Sequence, residues 1–222
     1  MGLFARKGGD GTLYHPGCLA AAKLPHVVKA TKEVLRDMGV PFLMIPEFEC
    51  CGHHAWYAGY EQDFQAIMAR NKALLRERGI TRIITNDPHC CLTFRERYGV
   101  EAKHVLEVFD EHLDKVRKGD EAAAAYHHAC FLDKLGIDDK VAVRVLHRAN
   151  VHVPKENPSR GCCGSVGDDF ARNNREAAAK IAERRAKEFR EPLLVVACPY
   201  CHLSFQKHRK VRDVAEMLAE VR

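Results

Sequence analysis

Nine of the ten cysteines in this 222-residue chain fall into two sets with one internal spacing. The first set is Cys18, Cys50, Cys51 and Cys90; the second is Cys130, Cys162, Cys163, Cys198 and Cys201. Cys130, Cys162 and Cys163 each lie 112 residues after Cys18, Cys50 and Cys51, and Cys201 lies 111 after Cys90. Clustered thiolates are soft ligands, suited to holding a metal or doing redox chemistry. An adjacent Cys-Cys pair is awkward at a single tetrahedral zinc, because neighbouring side chains diverge, whereas a multi-iron cluster presents several corners that both can reach. Zinc and a vicinal disulfide are the alternatives, the disulfide being disfavoured in a reducing compartment.

The residues around the cysteines repeat as well. Tyr14-His15-Pro16-Gly17-Cys18 matches Tyr126-His127-His128-Ala129-Cys130, and Cys50-Cys51-Gly52 matches Cys162-Cys163-Gly164. In the third block Asp87-Pro88-His89-Cys90 lies over Cys198-Pro199-Tyr200-Cys201, so Asp87 stands where the second copy has Cys198. A carboxylate there is either a hard, weaker ligand or the cap of the following helix. Cys91 aligns with His202 and is expected to point elsewhere. Histidines adjoin the blocks at His15, His53, His54, His89, His127, His128 and His202. Of these, His127 and His128 are the candidates to protonate a leaving thiolate, since they abut Cys130 in the complete copy and imidazole titrates near neutrality. Gly52 and Gly164 let the backbone approach a bound group closely. Trp56 and Tyr57 are expected in the core, with a place in a groove as the alternative.

The elements that must position these blocks follow from the apolar pattern. Short β-branched or apolar runs at Thr12 to His15, Val40 to Ile45 and Thr81 to Thr85, then Ala123 to His127, Val151 to Val153 and Leu193 to Ala197, predict buried strands. Between them, stripes at helical spacing predict amphipathic helices: Val27, Thr31, Val34, Leu35 and Met38; Phe64, Ile67, Met68, Leu74 and Leu75; and Phe170, Ala177, Ile181 and Phe189. Alternating strand and helix predicts an α/β fold of two tandem Rossmann-like parallel-sheet repeats, residues 12–117 and 118–222, related by internal duplication. Each cysteine block comes directly after a strand. Right-handed crossovers then bring the three blocks of a copy to the strand carboxyl ends, where open α/β sheets hold ligands.

Composition narrows the setting. With 46% hydrophobic and 29% charged residues the chain is an ordinary globular one. Cysteine at about 4.5% is well below the roughly 8–10% of disulfide-stapled secreted scaffolds. The opening MGLFARKGGDGTLYHPGC has no apolar run of signal-peptide length, and no stretch is long enough to span a bilayer. The expectation is a cytoplasmic protein without membrane insertion. The balance of 35 basic against 30 acidic residues gives only +5, which argues against a nucleic-acid partner. The densest basic stretch, Lys207 to Arg212, is read as a solvated helix face.

The duplicated Cys-x31-Cys-Cys-Gly-x33-Cys-Pro-x-Cys arrangement resembles the cysteine-rich CCG domain of heterodisulfide reductase B and D subunits and of iron-sulfur subunits of glycolate, glycerol-3-phosphate and lactate oxidising systems. The resemblance implies a noncubane [4Fe-4S] cluster on Cys130, Cys162, Cys163, Cys198 and Cys201 that acts on a disulfide. Carried to the first copy, it implies Cys18, Cys50, Cys51 and Cys90 as ligands, with the cluster type open because of Asp87. The chain has no Cys-x2-Cys-x2-Cys-x3-Cys-Pro run and no Gly-x-Gly-x-x-Gly after a strand. A ferredoxin-like iron-sulfur subunit and a flavoprotein subunit are therefore the expected partners. Three functions compete: an oxidoreductase subunit acting on a disulfide or thiol substrate, a pure electron-transfer subunit of a lactate, glycolate or glycerol-3-phosphate type system, and a zinc-stabilised scaffold.

Overall fold

The computed structural model describes residues 11–48, 50–165 and 169–220. The first repeat begins with β1 (Thr12–Tyr14), followed by α1 (Cys18–Lys23) and α2 (Pro25–Asp37), then α3 (His53–Tyr57) and α4 (Glu61–Glu77). It ends with β2 (Arg82–Thr85), α5 (Pro88–Thr93), β3 (Glu101–His104) and α6 (Val105–Glu111). The second repeat runs through β4 (Ala122–Ala123), β5 (Ala125–His127), α7 (Cys130–Lys134), α8 (Asp139–Arg148) and β6 (Val151–His152). It closes with α9 (Asp169–Asn173), α10 (Arg175–Lys187), β7 (Leu193–Val196), α11 (Pro199–Phe205), β8 (Lys210–Asp213) and α12 (Val214–Ala219). Every pairing among the described strands is parallel.

The two repeats share one strand order, the second split into the pair β4-β6 and the sheet β5-β7-β8. In the first, Leu43 bridges Leu13 of β1, β1 pairs with β2 and β2 with β3. In the second, β6 pairs with β4, and β5, which continues β4, pairs with β7, which pairs with β8. The duplicated α/β architecture expected from the sequence is what the chain adopts, with differences of physical origin. The predicted strand Val40 to Ile45 reduces to the single bridge at Leu43, held by hydrogen bonds of 2.8 and 2.9 Å to β1. Pro41 and Pro46, flanking it, have no N–H to extend a ladder.

Two further strands, β3 and β8, lie outside the runs that the apolar pattern predicts. Glu101-Ala102-Lys103-His104 and Lys210-Val211-Arg212-Asp213 carry too few apolar residues to read as strands, because each lies at a sheet edge and keeps its charges in water. Both run into a helix through a capping box: His104 with Glu107 opens α6, and Asp213 with Glu216 opens α12. Along α10 the buried face is Ala178, Ala182 and Ala186, while the expected Ala177 is exposed. The basic stretch is a turn and strand β8 rather than a helix face. There Arg209 donates to the carbonyls of Ala186, Phe189 and Glu191, and Arg212 pairs with Glu216 and Glu220.

One apolar core joins the halves. α2 of the first repeat packs on α12 of the second, and α6 of the first on α8 of the second. α8 is the counterpart of α2 and α12 of α6, so the contact is a pseudo-two-fold exchange of equivalent faces within one chain. Val34, Leu35, Leu106 and Phe109 from the first repeat and Val145, Leu146 and Leu218 from the second are buried in the same cluster. The continuity predicts coupled unfolding. Leu146→Ala, in the second repeat, removes a fully buried side chain and should cost about 2–5 kcal/mol. That loss should appear undiminished in urea denaturation followed by the fluorescence of Trp56, which lies in the first repeat.

Candidate metal centre

The first thiol set is assembled by three loops leaving neighbouring strand ends. After β1, Gly17 adopts φ +89°, and a Cβ there would lie 2.9 Å from Asp87 Cβ, so only glycine lets the first and third blocks touch. It delivers Cys18 to the start of α1. Cys50 and Cys51 precede Gly52 at φ +83°, whose N–H donates to Cys50 Sγ at 3.3 Å. Cys51 Sγ donates to Cys90 Sγ at 3.0 Å, and Cys50 bonds with both Cys18 and Cys51. The four sulfurs therefore form an unbroken chain. Hydrogen bonds from Cys18, Cys51 and Gly52 pull the Cys50 thiol well down, and the same contacts push Cys18 and Cys51 up. At Cys90 the hydrogen bond with Cys51 lowers the thiol, but burial and the nearby Asp87 and Cys50 outweigh it and hold it at about 12.

The second set has the same plan and more thiols. Gly164, at φ +84°, donates its N–H to Cys162 Sγ at 3.3 Å. Cys201 hydrogen-bonds Cys163, pulling that thiol down, and also bonds Cys198. Burial raises the Cys198 thiol, yet the bonds from Cys201 and His89 outweigh it and bring it to about 7. Cys163, Cys198 and Cys201 are buried, whereas Cys130 and Cys162 are exposed. All five border one small cavity. Burial lifts the Cys130 thiol to about 11 and raises that of Cys162.

The histidines divide by what they face. His127 is buried, neither ring nitrogen has a hydrogen-bond partner among the described residues, and it offers a nitrogen within 4.8 Å of the Cys163 and Cys201 sulfurs. Burial lowers it to about 3, so it is a neutral imidazole at the back of the thiols. Its counterpart His15 places Nε2 3.9 Å from Cys90 Sγ and is likewise lowered, to about 4, by burial. His128 turns from the cavity, with Nδ1 3.4 Å from the Tyr126 hydroxyl and Nε2 3.3 Å from Asp133. Cys91 is buried in α5, where burial raises its thiol to about 12.

Asp87 and Cys198 occupy the same structural position, the N-cap of α5 and of α11. The Asp87 carboxylate accepts from His89 N and from His89 Nδ1, both at 2.9 Å. Burial would raise Asp87, but the His89 bonds prevail and hold it at about 2. It is a helix cap. His89 then reaches across to hydrogen-bond Cys198 in the other repeat, and those two partners overcome burial and raise it to about 10. Its ring packs on Phe131 and Tyr200, with centroids 3.7 and 4.6 Å away, and the Tyr200 hydroxyl bonds His54 Nε2. Neither Phe131 nor Tyr200 is singled out by the sequence pattern, although Tyr200 sits inside the Cys-Pro-Tyr-Cys block. Tyr57 departs from its expected core place: it is 47% exposed and stacks on His53 at 4.3 Å.

Five thiols around one cavity, with the His127 imidazole close to the Cys163 and Cys201 sulfurs, are a soft donor set, suited to a polynuclear metal cluster. Substitutions at Gly164 and Asp87 test the framework. A Cβ on Gly164 would lie 2.4 Å from the Ala178 carbonyl, so Gly164→Ala should destabilise the chain by more than Gly136→Ala, where φ is +72° but the space is open. Paired urea titrations check this. Asp87→Ala removes both the cap and the carboxylate partner of buried His89, so it should cost more than the about 1 kcal/mol of a cap alone, and Asp87→Asn should restore only the cap's share.

The CCG cysteine-rich domain family matches residues 12–95 and again 124–206. The D subunit of dihydromethanophenazine:CoB-CoM heterodisulfide reductase from Methanosarcina acetivorans is 24% identical over 94% of this chain and 58% of its own length. The B subunit of the CoM/CoB fumarate reductase from Methanothermobacter marburgensis is 26% identical over 92% of this chain and 45% of its own. The chain thus spans about half the length of these curated relatives. A hypothetical protein from Helicobacter pylori, 13% identical, superposes with a TM-score of 0.65 over 96% of this chain and 49% of its own, which bears on the fold alone. Matched twice, once over each thiol set, the chain belongs to the CCG cysteine-rich domain family.

Proposed function

We propose that the protein is an iron-sulfur subunit of a heterodisulfide-reductase-like complex and exchanges electrons with a disulfide or a sulfur-carrying thiol. The observation that carries this reading is the second thiol set: five cysteines about one cavity, with Cys130 and Cys162 exposed at its edge. Cys130, Cys162, Cys163, Cys198 and Cys201 would hold a noncubane [4Fe-4S] cluster, and the exposed pair gives a substrate sulfur a way in. When bound, such a cluster supplies single electrons and iron able to bind sulfur. Cleaving a disulfide takes two electrons and two protons and yields two thiols, so a site that holds a half-reduced sulfur is the chemical requirement.

The chain's own groups do the rest. His127, neutral and without a partner among the described residues, can donate a hydrogen bond to sulfur from the inner side, while Phe131 and Tyr200 wall the cavity against water. The first repeat, with Cys18, Cys50, Cys51 and Cys90, would hold a second centre and pass electrons inward. Contact of the two sets through His89 supports that relay, and it equally suits a subunit that only transfers electrons, as in lactate or glycolate oxidising systems. The relatives are oxidoreductase subunits, which supports a complex; a ferredoxin-like subunit and a flavoprotein remain the partners proposed.

Anaerobic reconstitution with iron and sulfide tests the assignment. Cys162→Ser and Cys198→Ser exchange a thiolate for a poor iron ligand. Each should lower bound iron and visible absorption and alter the low-temperature EPR signal. Unchanged iron and spectra in both would refute the cluster, and zinc without acid-labile sulfide in the native protein would favour a scaffold.

A further inference from the structure

Beside the second thiol set, where the repeats join, three potential ligands meet that belong to neither set. His26 lies in the first turn of α2, His202 on α11 and Glu216 in the first turn of α12. His26 Nε2 is 3.9 Å from Glu216 Oε1 and His202 Nε2 is 3.6 Å from Glu216 Oε2, with the imidazole centroids 5.6 Å apart. All three offer a ligand atom within 4.8 Å of the others. His202 is 4% exposed, yet its ring nitrogens make no hydrogen bond within 3.5 Å among the described residues, Nε2 only facing Glu216 Oε2 at 3.6 Å. A buried imidazole left so is costly unless something else satisfies it.

The first repeat shows what this corner looks like when the carboxylate is satisfied internally. There Glu107 stands for Glu216 and Cys91 for His202, and Arg95 grips both Glu107 oxygens at 2.9 and 2.6 Å. The residue matching Arg95 in the second repeat is Gln206, which cannot neutralise a carboxylate. Arg212 reaches only Glu216 Oε1, at 3.2 Å, and is shared with Glu220 at 2.8 Å. Oε2 accepts the Asp213 N–H at 2.8 Å. A carboxylate has about four lone-pair sites, so one on each oxygen remains. Asp213, also buried, adds a further acidic group beside His202.

We propose that His26, His202 and Glu216 form a divalent-metal site, suited to zinc, that clasps α2 of the first repeat to α11 and α12 of the second. Two imidazoles and one carboxylate are a common zinc donor set. Bonds of about 2.0–2.2 Å place tetrahedral ligand atoms roughly 3.3 Å apart, a small side-chain adjustment from the spacings seen. The His26 side chain is half exposed, so the ion can enter from solvent and keep a water as its fourth ligand. The site shares no ligand with the thiol sets, although His202 directly follows Cys201, and its failure would leave the proposed electron-transfer function standing.

The test uses the anaerobically purified full chain and cadmium-113 as probe. Its NMR shift separates nitrogen and oxygen ligands from thiolates. The wild type should show one resonance in the nitrogen-oxygen range, lost in both His26→Gln and His202→Gln. Zinc bound per chain should fall by one equivalent in His26→Gln, a solvent-facing change that leaves the core intact, and the rise in melting temperature on adding zinc should shrink with it. Absence of a nitrogen-oxygen resonance, its survival in both variants, or an unchanged zinc count in His26→Gln would overturn the site.

Discussion

A parallel sheet sends every chain segment that follows a strand out through the same edge, and both thiol sets depend on that constraint. The cysteines of each set come from loops after three different strand ends, separated by dozens of residues, and no local turn could gather them. The strand order then determines which loops become neighbours. Because β1 lies between the Leu43 bridge and β2, the Cys18 loop is flanked by the Cys50-Cys51 and Asp87–Cys90 loops, and the second sheet repeats this with Cys130 between Cys162-Cys163 and Cys198–Cys201. Glycines at 17, 52 and 164 close the remaining gap by accepting positive φ where a side chain would collide with Asp87, Phe64 or the Ala178 carbonyl.

Inside each set the physics is that of charge placed among weak donors. A half-buried thiol is pulled down when neighbouring thiols and a backbone N–H point at it, as Cys18, Cys51 and Gly52 do for Cys50. The two sets depart from each other at one structural position. The cap of α11 is a cysteine that remains available to the cavity, whereas the cap of α5 is an aspartate committed to His89. His89, held by that aspartate, becomes the group through which the first repeat touches Cys198.

Much of this is legible in the chain itself. The 112-residue offset exposes the duplication, and the strand-then-cysteine order predicts where the thiols gather, because both are local patterns. What is not legible is what depends on distant partners. The strands β3 and β8 are too polar to register as strands until a neighbour is known to cover one side. Val40 to Ile45 has the composition of a strand, yet Pro41 inside it and Pro46 just after it limit it to one bridge. The contact of His89 with Phe131, Tyr200 and Cys198 arises from how the repeats pack, which no spacing within either repeat encodes.

The exchange of faces between α2 and α12 and between α6 and α8 also bears on how the chain comes into being. Synthesis proceeds from the N-terminus at about 5–20 residues per second, so the first repeat is complete several seconds before α8 and α12 emerge. During that interval the apolar faces of α2 and α6 have no cover from their own chain. A nascent first repeat is therefore a sticky species whose nearest complement is the same face on another nascent chain, and ribosome-bound neighbours on one message are the setting in which intermolecular pairing competes with correct closure.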